Sequence, residues 1–235
     1  VENVSFKIFP GETLGLVGES GCGKSTLGKI LLKLTEPSSG SILFNSENIS
    51  NYSNRKMRPL RKDMQIIFQD PYSSLNPNKK IGKAIMEPMK VHNICENDFQ
   101  RKQETIQLLS KVGIDKGGFD KFPHEFSGGQ RQRICIARAL ALRPKFIVCD
   151  ESVSALDVSV QAEILNLLNS LRDQFGLTFL FISHDLSVVK YMSDRILVMD
   201  KGKIVERGIA DDVFFNPQKK YTQKLISSIP KGFMN

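Results

Sequence analysis

The glycine-rich stretch Gly18–Thr26 has the residue types and spacing of a phosphate-binding loop. Its letters, GESGCGKST, match G-x-x-x-x-G-K-[ST], with an apolar run before it and a helix-like run after it. Glycines let backbone N–H groups converge on phosphate oxygens, and a helix start adds partial positive charge. Lys24 is expected to reach the β- and γ-phosphates, and Ser25 to ligate Mg²⁺. The pattern predicts a nucleotide site formed by Gly18, Glu19, Ser20, Gly21, Cys22, Gly23, Lys24, Ser25 and Thr26.

Four apolar runs end in polar residues, which are Gly18, Gln69, Asp150 with Glu151, and His184. If these runs are parallel strands, the polar residues lie together at the carboxyl edge of a sheet. Asp150 is then placed to hold Mg²⁺, and Glu151 to polarise an attacking water as general base. Gln69 could orient that water or ligate Mg²⁺, and His184 is a third catalytic candidate. Taken singly, Asp150–Glu151 could cap a helix, Gln69 could open a turn, and His184 could be structural.

A second stretch, HEFSGGQRQR at 124–133, also has the composition of an anion site. Ser127, Gly128, Gly129 and Gln130 directly precede an apolar, Arg-containing helix, and helix starts bind anions. Ser127 and Gln130 also fit a capping box, in which each side chain bonds the other residue's backbone. Both interpretations can hold, because a capped helix start is also an anion site.

Taken together and in order, these motifs resemble those of the ABC-transporter ATPase family. Gly18–Thr26, Gln69, Phe126–Gln130, Asp150–Glu151, Ser154–Asp157 and His184 are similar to its Walker A, Q-loop, signature, Walker B, D-loop and H-loop. FQDPYSSLNP (68–77), SALDVSVQAEILNLL (154–168) and YTQKLISSIP (221–230) resemble the ATPase subunits of oligopeptide and dipeptide importers, nearest the F-type subunit. The resemblance implies ATP and Mg²⁺ as cofactors.

The same resemblance implies partners. Family ATPases close head to tail with an identical or homologous subunit, so that Ser127, Gly128, Gly129, Gln130 and Asp157 of one chain complete the nucleotide site of the other. Two permease subunits are expected to dock near residues 70–90, with an extracytoplasmic solute-binding protein as an indirect partner. The expected location is peripheral, at the cytoplasmic face of the cell membrane, and no nucleic-acid partner is expected.

Three departures from the family pattern are visible. Ser152 stands where the family usually has proline after the catalytic glutamate, so Glu151 is expected to be held less rigidly. The aromatic residue that stacks on adenine in this family lies upstream of the first strand, and we expect the native N-terminus to precede Val1. The C-terminal stretch contains no cysteine, so the iron–sulfur cluster of some relatives is not expected.

Apolar runs at 14–17, 64–68, 146–149, 178–182 and 196–199 predict the strands that position these residues. Helix-like segments between them favour a doubly wound, mostly parallel α/β sheet, and the resemblance specifies the P-loop NTPase (RecA-like) fold. Antiparallel hairpins are predicted within 4–17, within 41–50 and around Lys201–Gly202. In the helix at 161–175, Ile164, Leu168, Leu171 and Phe175 are predicted to share a face, with Gly176 as C-cap.

The division expected from these patterns is one ABC ATPase domain over 1–235. Residues 1–71 and 143–208 form the α/β core with an antiparallel β subdomain. An inserted α-helical subdomain at 72–142 carries the signature, because that stretch contains no strand-like run. Residues 209–235 are expected to form a C-terminal tail.

Composition leaves the class of partner open. The 235 residues are 40% hydrophobic, enough to bury a core, and the formal charge is +8. A basic balance suits phosphate-bearing ligands, lipid headgroups or nucleic acid, but also a plain lysine-rich surface. The four cysteines form no zinc-type pattern and indicate a reducing compartment, the cytosol. No apolar run approaches the ~20 residues of a membrane span.

The leading hypothesis is an ATP-hydrolysing subunit that powers import of oligopeptides or dipeptides. A related importer of nickel or other metal complexes is the nearest alternative, because specificity lies in the binding protein and permease. A soluble ABC ATPase acting on nucleic acid fits less well, since such proteins carry two cassettes or long insertions between the motifs. An exporter ATPase is weaker because of the importer-like stretches.

Overall fold

A computed structural model describes residues 1–229 of the chain, so the last residue of the 221–230 stretch and the end of the expected tail lie outside the described residues. All five apolar runs form strands, as predicted. The strands are β1 Thr13–Val17, β2 Leu43–Phe44, β3 Glu47–Asn48, β4 Met64–Ile67, β5 Phe146–Asp150, β6 Thr178–Ser183, β7 Arg195–Asp200 and β8 Lys203–Ile209. Six of them form one sheet in the order β4-β5-β6-β1-β7-β8.

The first five strands of that sheet run parallel, and β8 joins β7 antiparallel at one edge. The predicted hairpin within 4–17 is wrong, because residues 1–12 form no strand and β1 pairs in parallel on both sides, with β6 and β7. With both edges of β1 occupied, no backbone groups remain for an antiparallel neighbour.

The other two predicted hairpins are confirmed. Strands β2 and β3 form a separate two-stranded antiparallel sheet. Strands β7 and β8 are joined at Lys201 and Gly202, whose φ angles of 45° and 83° give the left-handed turn that matches the twist of a hairpin. Glycine adopts this conformation at little cost, and Lys201 is one of nine non-glycine residues with a positive φ within residues 1–229.

Helices fill the connections between strands. They are α1 Lys24–Leu31, α2 Asn54–Met57, α3 Pro71–Ser74, α4 Ile81–Val91, α5 Asp98–Lys111, α6 Gly128–Leu140, α7 Val158–Phe175, α8 Leu186–Met192, α9 Ala210–Phe215 and α10 Lys220–Ser227. Between β4 and β5 the described chain is entirely helix and loop, where α4, α5 and α6 pack on one another. Within residues 1–229, none of the helices combines the length and apolar character that crossing a bilayer demands.

Two hydrophobic clusters cover the two faces of the sheet. Alternation along β6 divides its side chains between them, with Phe179 and Phe181 in one cluster and Leu180 and Ile182 in the other. Leu27 of α1 joins the second cluster, whereas α6, α7 and α8 contribute to the first. The sheet is therefore buried on both faces, which explains its continuous apolar strands.

Helix α7 follows its predicted pattern except at its end. Ile164, Leu168 and Leu171 are buried, and Gly176 ends the helix in the left-handed conformation at φ 63°. Phe175, predicted on the same face, is 42% exposed, and the ammonium of Lys111 lies 4.5 Å from its ring centre. The apolar periodicity of α7 therefore correctly predicts burial for the first three of these positions and not for its last residue.

Residues 210–229, assigned from the sequence to a tail, form two packed helices. In α9, Ala210, Val213 and Phe214 are buried, and this helix contacts β8 and α8. Helix α10 places Tyr221 and Leu225 against the main hydrophobic cluster. The end of the described chain is thus part of the folded body beside the sheet.

Candidate functional site

The loop between β1 and α1 closes around the side chain of Lys24. Its ammonium donates to the carbonyl oxygens of Gly18, at 2.8 Å, and Glu19, at 3.0 Å, and only 4% of the residue is exposed. A Cβ on Gly18 would lie 2.1 Å from the carbonyl oxygen of Met199, so no side chain fits there. Gly23, the N-cap of α1, has a φ of 107°, which only glycine adopts readily. These glycines therefore fix the path of the loop.

The remaining loop residues divide into a rim and a base. Glu19, Ser20 and Gly21 are exposed, and Cys22 is buried beneath them. Ser25 and Thr26 stand in the first turn of α1, where backbone N–H groups have no partner within the helix. The arrangement has the exposed loop and the helix start that anion binding requires.

Asp150 and Glu151 meet this loop at the carboxyl end of β5. The Ser25 hydroxyl donates to Oδ1 of Asp150 at 2.7 Å. One carboxylate oxygen of Glu151 lies 3.9 Å from the Lys24 ammonium, and the other lies 3.4 Å from Nδ1 of His184. The structure therefore brings five predicted site residues together at the carboxyl ends of β1, β5 and β6.

Burial sets the electrostatics of Asp150. Desolvation raises the pKa of its carboxyl above the ordinary value, and the nearby Glu151 carboxylate adds to the rise. The hydrogen bond from Ser25 and the charges of Lys29 and Lys24 oppose it. A buried carboxylate in this environment is stabilised by a cation close by.

The backbone of Glu151 is anchored in a strained conformation. Its φ is 48°, a left-handed value that costs a non-glycine residue ~1–2 kcal/mol. Its N–H donates to the carbonyl of Ile182 at 2.9 Å, and its own carbonyl accepts from the backbone and hydroxyl of Ser154. These bonds hold the backbone of Glu151 on both sides, and the looser hold expected from Ser152 stays a prediction.

Gln69 is linked through Ser154 to the backbone of Glu151, and its side chain makes no hydrogen bond to the Asp150 or Glu151 carboxylates in the described residues. Its side-chain amide donates to the Ser154 hydroxyl at 3.1 Å, and that hydroxyl donates to the carbonyl of Glu151 at 3.0 Å. The segment after β4 is thus linked to the end of β5. Ser154 was singled out only as part of the 154–157 motif, and its position between Gln69 and Glu151 could not be read from the spacing.

The second predicted anion site forms a complete capping box at the start of α6. Gln130 N–H donates to the Ser127 hydroxyl at 3.3 Å, and the Gln130 side chain accepts from Ser127 N–H at 3.0 Å. A Cβ on Gly129 would come within 2.5 Å of Val160. The stretch therefore packs on the start of α7.

Asp157 is the N-cap residue of α7 by its backbone, but its side chain accepts no capping hydrogen bond from that helix. Glu163 of the same helix pairs with Arg133 of α6 at 2.8 Å. Gly128 and Gly129 lie against Leu156 and Val160, which flank Asp157, and within residues 1–229 neither the 127–130 stretch nor Asp157 bonds to the loop at 18–26. The 127–130 stretch with Asp157 and the loop at 18–26 are therefore two separate sites on one chain.

The residues at the sheet edge fit a magnesium ion of the kind that binds together with a substrate. Ser25 Oγ and Asp150 Oδ1 are oxygen donors 2.7 Å apart beside a phosphate-type loop. Across the described residues, no three His, Cys, Asp or Glu side chains cluster as a metal cage. Mg²⁺ is usually held by one or two carboxylates plus substrate phosphates, so the sparse donor set suits it.

One contact to the loop is not predictable from the sequence patterns. The hydroxyl of Tyr221, in α10, accepts a hydrogen bond from the N–H of Glu19 at 3.0 Å. The two residues are 202 positions apart, so neither spacing nor periodicity relates them. The only signal was that Tyr221 belongs to the importer-like stretch at 221–230.

Comparison with known proteins gives close relatives. A family model described as ABC transporter matches residues 1–154. The glutathione import ATP-binding protein GsiA of Pectobacterium atrosepticum is 54% identical over 230 residues, which are 98% of this chain and 37% of GsiA. The oligopeptide transport ATP-binding protein OppF of Bacillus subtilis is 52% identical over 231 residues, 98% of this chain and 76% of OppF. The chain therefore spans little more than a third of the length of GsiA.

Solved structures share the architecture. The cbiO1 protein of Clostridium perfringens, part of the complex cbiONQ, superposes with a TM-score of 0.81 at 29% identity, covering 98% of this chain and 89% of its own. The ATP-binding cassette MJ0796, solved as a dimer in a post-hydrolysis state with ADP and Pi, gives a TM-score of 0.80 at 27% identity, with 88% and 89% coverage. These matches confirm the predicted P-loop NTPase fold.

Proposed function

The chain belongs to the ABC transporter family, as its motifs predicted, and on that premise we propose that it is an ATP-binding and ATP-hydrolysing subunit of an importer. The solute proposed is an oligopeptide or dipeptide. The relatives named for oligopeptide and glutathione import support a peptide over a metal complex, because glutathione is itself a short peptide.

One observation carries the proposed chemistry: the phosphate-type loop and two carboxylates converge at one sheet edge. Ser25 bonds Asp150 at 2.7 Å, and Glu151 lies between Lys24 and His184 at 3.9 and 3.4 Å. A nucleoside triphosphate bound to the loop would place its γ-phosphate beside Glu151. This edge also combines a cation, a buried metal-type carboxylate and a second carboxylate able to accept a proton.

Each residue is assigned a role in hydrolysis. The N–H groups of the 18–26 loop and Lys24 hold the β- and γ-phosphates. Glu151 accepts a proton from water as the water oxygen bonds to the γ-phosphorus and the bond to the ADP oxygen breaks, giving ADP and phosphate. Gln69 and His184 orient the water and the γ-phosphate. Bound Mg²⁺, held through Ser25, Asp150 and Gln69, would neutralise charge on the phosphates.

A second cassette completes the site in this proposal. Ser127, Gly128, Gly129, Gln130 and Asp157 would face the nucleotide of a partner subunit, identical or homologous, in a head-to-tail dimer. The exposed, capped start of α6 supports this role, since the first turn of a helix carries the positive end of the helix dipole. The dimeric state of MJ0796 gives further support from a relative.

Coupling to transport is assigned to the segment after Gln69. Helix α3 and all of α4 except Val91 fall within residues 70–90, where two permease subunits would dock, and Tyr72 there is 57% exposed. Helix α6 contacts this segment: the Arg138 guanidinium donates to the Ser74 carbonyl, and Arg131 lies 5.2 Å from the Tyr72 ring centre. Dimer closure on the start of α6 would therefore be transmitted through these contacts to the docking segment.

The same proposal includes the division and location expected from sequence. The core would comprise 1–71 and 143–208, the helical subdomain 72–142, and the C-terminal part 209–235. The protein would sit peripherally at the cytoplasmic membrane face, serving a solute-binding protein indirectly and no nucleic acid.

The test is reconstitution of the chain with its permeases and solute-binding protein in vesicles, followed by ATP hydrolysis and uptake of a labelled dipeptide. Glu151→Gln should abolish both activities and retain ATP binding. Glu104→Gln is the matched control, because Glu104 lies in α5, forms an ion pair with Arg143 and is not one of the residues of the sheet-edge site. ATP-dependent uptake of nickel complexes without peptide uptake would overturn the assigned solute, and uptake unaffected by Glu151→Gln would overturn the assigned chemistry.

A further inference from the structure

Helix α10 reaches the phosphate-type loop from the far end of the chain. The N–H of Glu19 donates to the Tyr221 hydroxyl at 3.0 Å, and the Lys224 ammonium lies 3.5 Å from a carboxylate oxygen of Glu19. Lys224 and Glu19 are 75% and 56% exposed, so solvent screens their ion pair. The hydroxyl of Tyr221 therefore makes the more specific of the two contacts.

The position of Tyr221 is fixed on its own side. Its ring packs against the main hydrophobic cluster together with Leu225, and the adjacent Thr222 is fully buried. At the start of α10, the Glu206 carboxylate of β8 accepts from the N–H groups of Gln218 and Lys219 at 2.7 and 3.2 Å. The hydroxyl is therefore presented by a helix that is bonded to the sheet edge.

The first half of the loop is held from the same side. Gly202 N–H, in the β7–β8 turn, donates to the carbonyl of Cys22 at 2.9 Å, and Gly18 lies directly against Met199 of β7. Tyr221 adds the bond to Glu19 between these two points. Residues 18–22 thus rest on the β7–β8 turn and α10, whereas Ser25 is held by β5 through Asp150.

We propose that Tyr221 is a positioning residue for nucleotide binding: its hydroxyl holds the Glu19 N–H and presets the loop in its phosphate-binding path. The assignment rests on the proposed ATP site. The effect is indirect, because the Tyr221 hydroxyl contacts the backbone of the loop. Without the hydroxyl, the loop would sample other paths, and ATP would bind only to the fraction in the right one.

The substitution that isolates the hydroxyl is Tyr221→Phe, because it keeps the ring in its packing site. We expect the Kd for Mg-ATP to rise about two- to tenfold, the range that one net hydrogen bond allows. At saturating ATP, kcat should stay within about twofold, since bound nucleotide restores the loop. The matched control is Tyr191→Phe, which removes an exposed hydroxyl bonded to Asn166 of α7, away from the loop.

Hydrogen exchange in the unsubstituted chain gives a second measurement that needs neither a variant nor nucleotide. The Glu19 amide should be protected relative to that of its exposed neighbour Ser20, and Tyr221→Phe should remove the difference. Equal exchange at the two amides in the unsubstituted chain would overturn the proposal.

Two binding results would also overturn the role of Tyr221. One is an unchanged Kd for Mg-ATP in Tyr221→Phe, and the other is an equal rise of that Kd in Tyr191→Phe. If the unsubstituted chain failed to bind ATP, the proposed function and the positioning role would both fall, whereas an unchanged Kd in an ATP-binding chain overturns only the role of Tyr221.

Discussion

Gly128→Ala separates the proposed dimer role of the 127–130 stretch from its visible role as a helix start. Gly128 is the first residue of α6, and a Cβ built on it would meet only a methyl of Leu156 at 3.7 Å, an ordinary contact. Its φ is not in the left-handed region. The described chain therefore has room for the added methyl group, in contrast to Gly129, where a Cβ would lie 2.5 Å from Val160.

The two roles predict different effects of Gly128→Ala. A helix start alone predicts a higher stability, whereas a contact with the partner's nucleotide predicts a loss of hydrolysis. Replacing a glycine by alanine at a compatible position stabilises a protein by ~0.4–1 kcal/mol, because the unfolded chain loses freedom. For a domain of this size, that raises the Tm by up to ~2–4 °C. If a partner's γ-phosphate approaches the backbone of Gly128, the methyl group blocks it. The loss of one preorganised donor then lowers hydrolysis by ~10²–10³-fold.

The assay uses a Glu151→Gln background and asks for ATP-dependent dimers by size-exclusion chromatography, alone or with the native partner subunit. Gly128→Ala should bind ATP as its parent does, melt no lower and fail to dimerise. Ser127→Ala is the contrasting variant, because losing the cap should lower stability by ~0.5–2 kcal/mol. Dimers formed as readily by Gly128→Ala as by its parent would refute the composite site, and a lowered Tm would refute the packing argument.

Three further outcomes are expected. Glu151→Gln should leave the Kd for ATP within about threefold and lower turnover ~10²–10⁴-fold, as for loss of a general base; stopped-flow phosphate release measures it, and turnover within threefold of the parent would contradict the role. Alkylation of Cys22 should block nucleotide binding and be prevented by ATP, whereas Cys135 and Cys149, whose thiol pKa values burial raises to about 11 and about 12, should stay unmodified by mass spectrometry. Burial raises the pKa of Asp150, so ionising this carboxyl costs more free energy in the folded chain than in the unfolded chain, and stability falls as the pH rises from the unfolded pKa through the folded pKa; Asp150→Asn, which carries no charge, should therefore raise the Tm at pH 7 relative to the parent and weaken the Mg²⁺ dependence of ATP binding, and an unchanged Tm would contradict this.

The sequence alone determined the elements whose signals are local. The apolar runs became strands because a sheet buried on both faces needs unbroken apolar segments, and the glycines at 18 and 23 marked a loop that only glycine can follow. The capping box at Ser127 and Gln130 was also readable, since its two hydrogen bonds lie within four residues. The convergence of Ser25 with Asp150 followed from the rule that parallel strands end at one edge.

Tertiary structure decided what local signals could not reach. The first residues do not form a hairpin because β6 and β7 already occupy both edges of β1, and that order is a property of the whole sheet. Gln69 meets Ser154 only because β4 and β5 are neighbours. Tyr221 meets Glu19 only because β8 and α9 return the chain to the loop. Such contacts depend on how distant segments pack, and no periodicity within either segment encodes them.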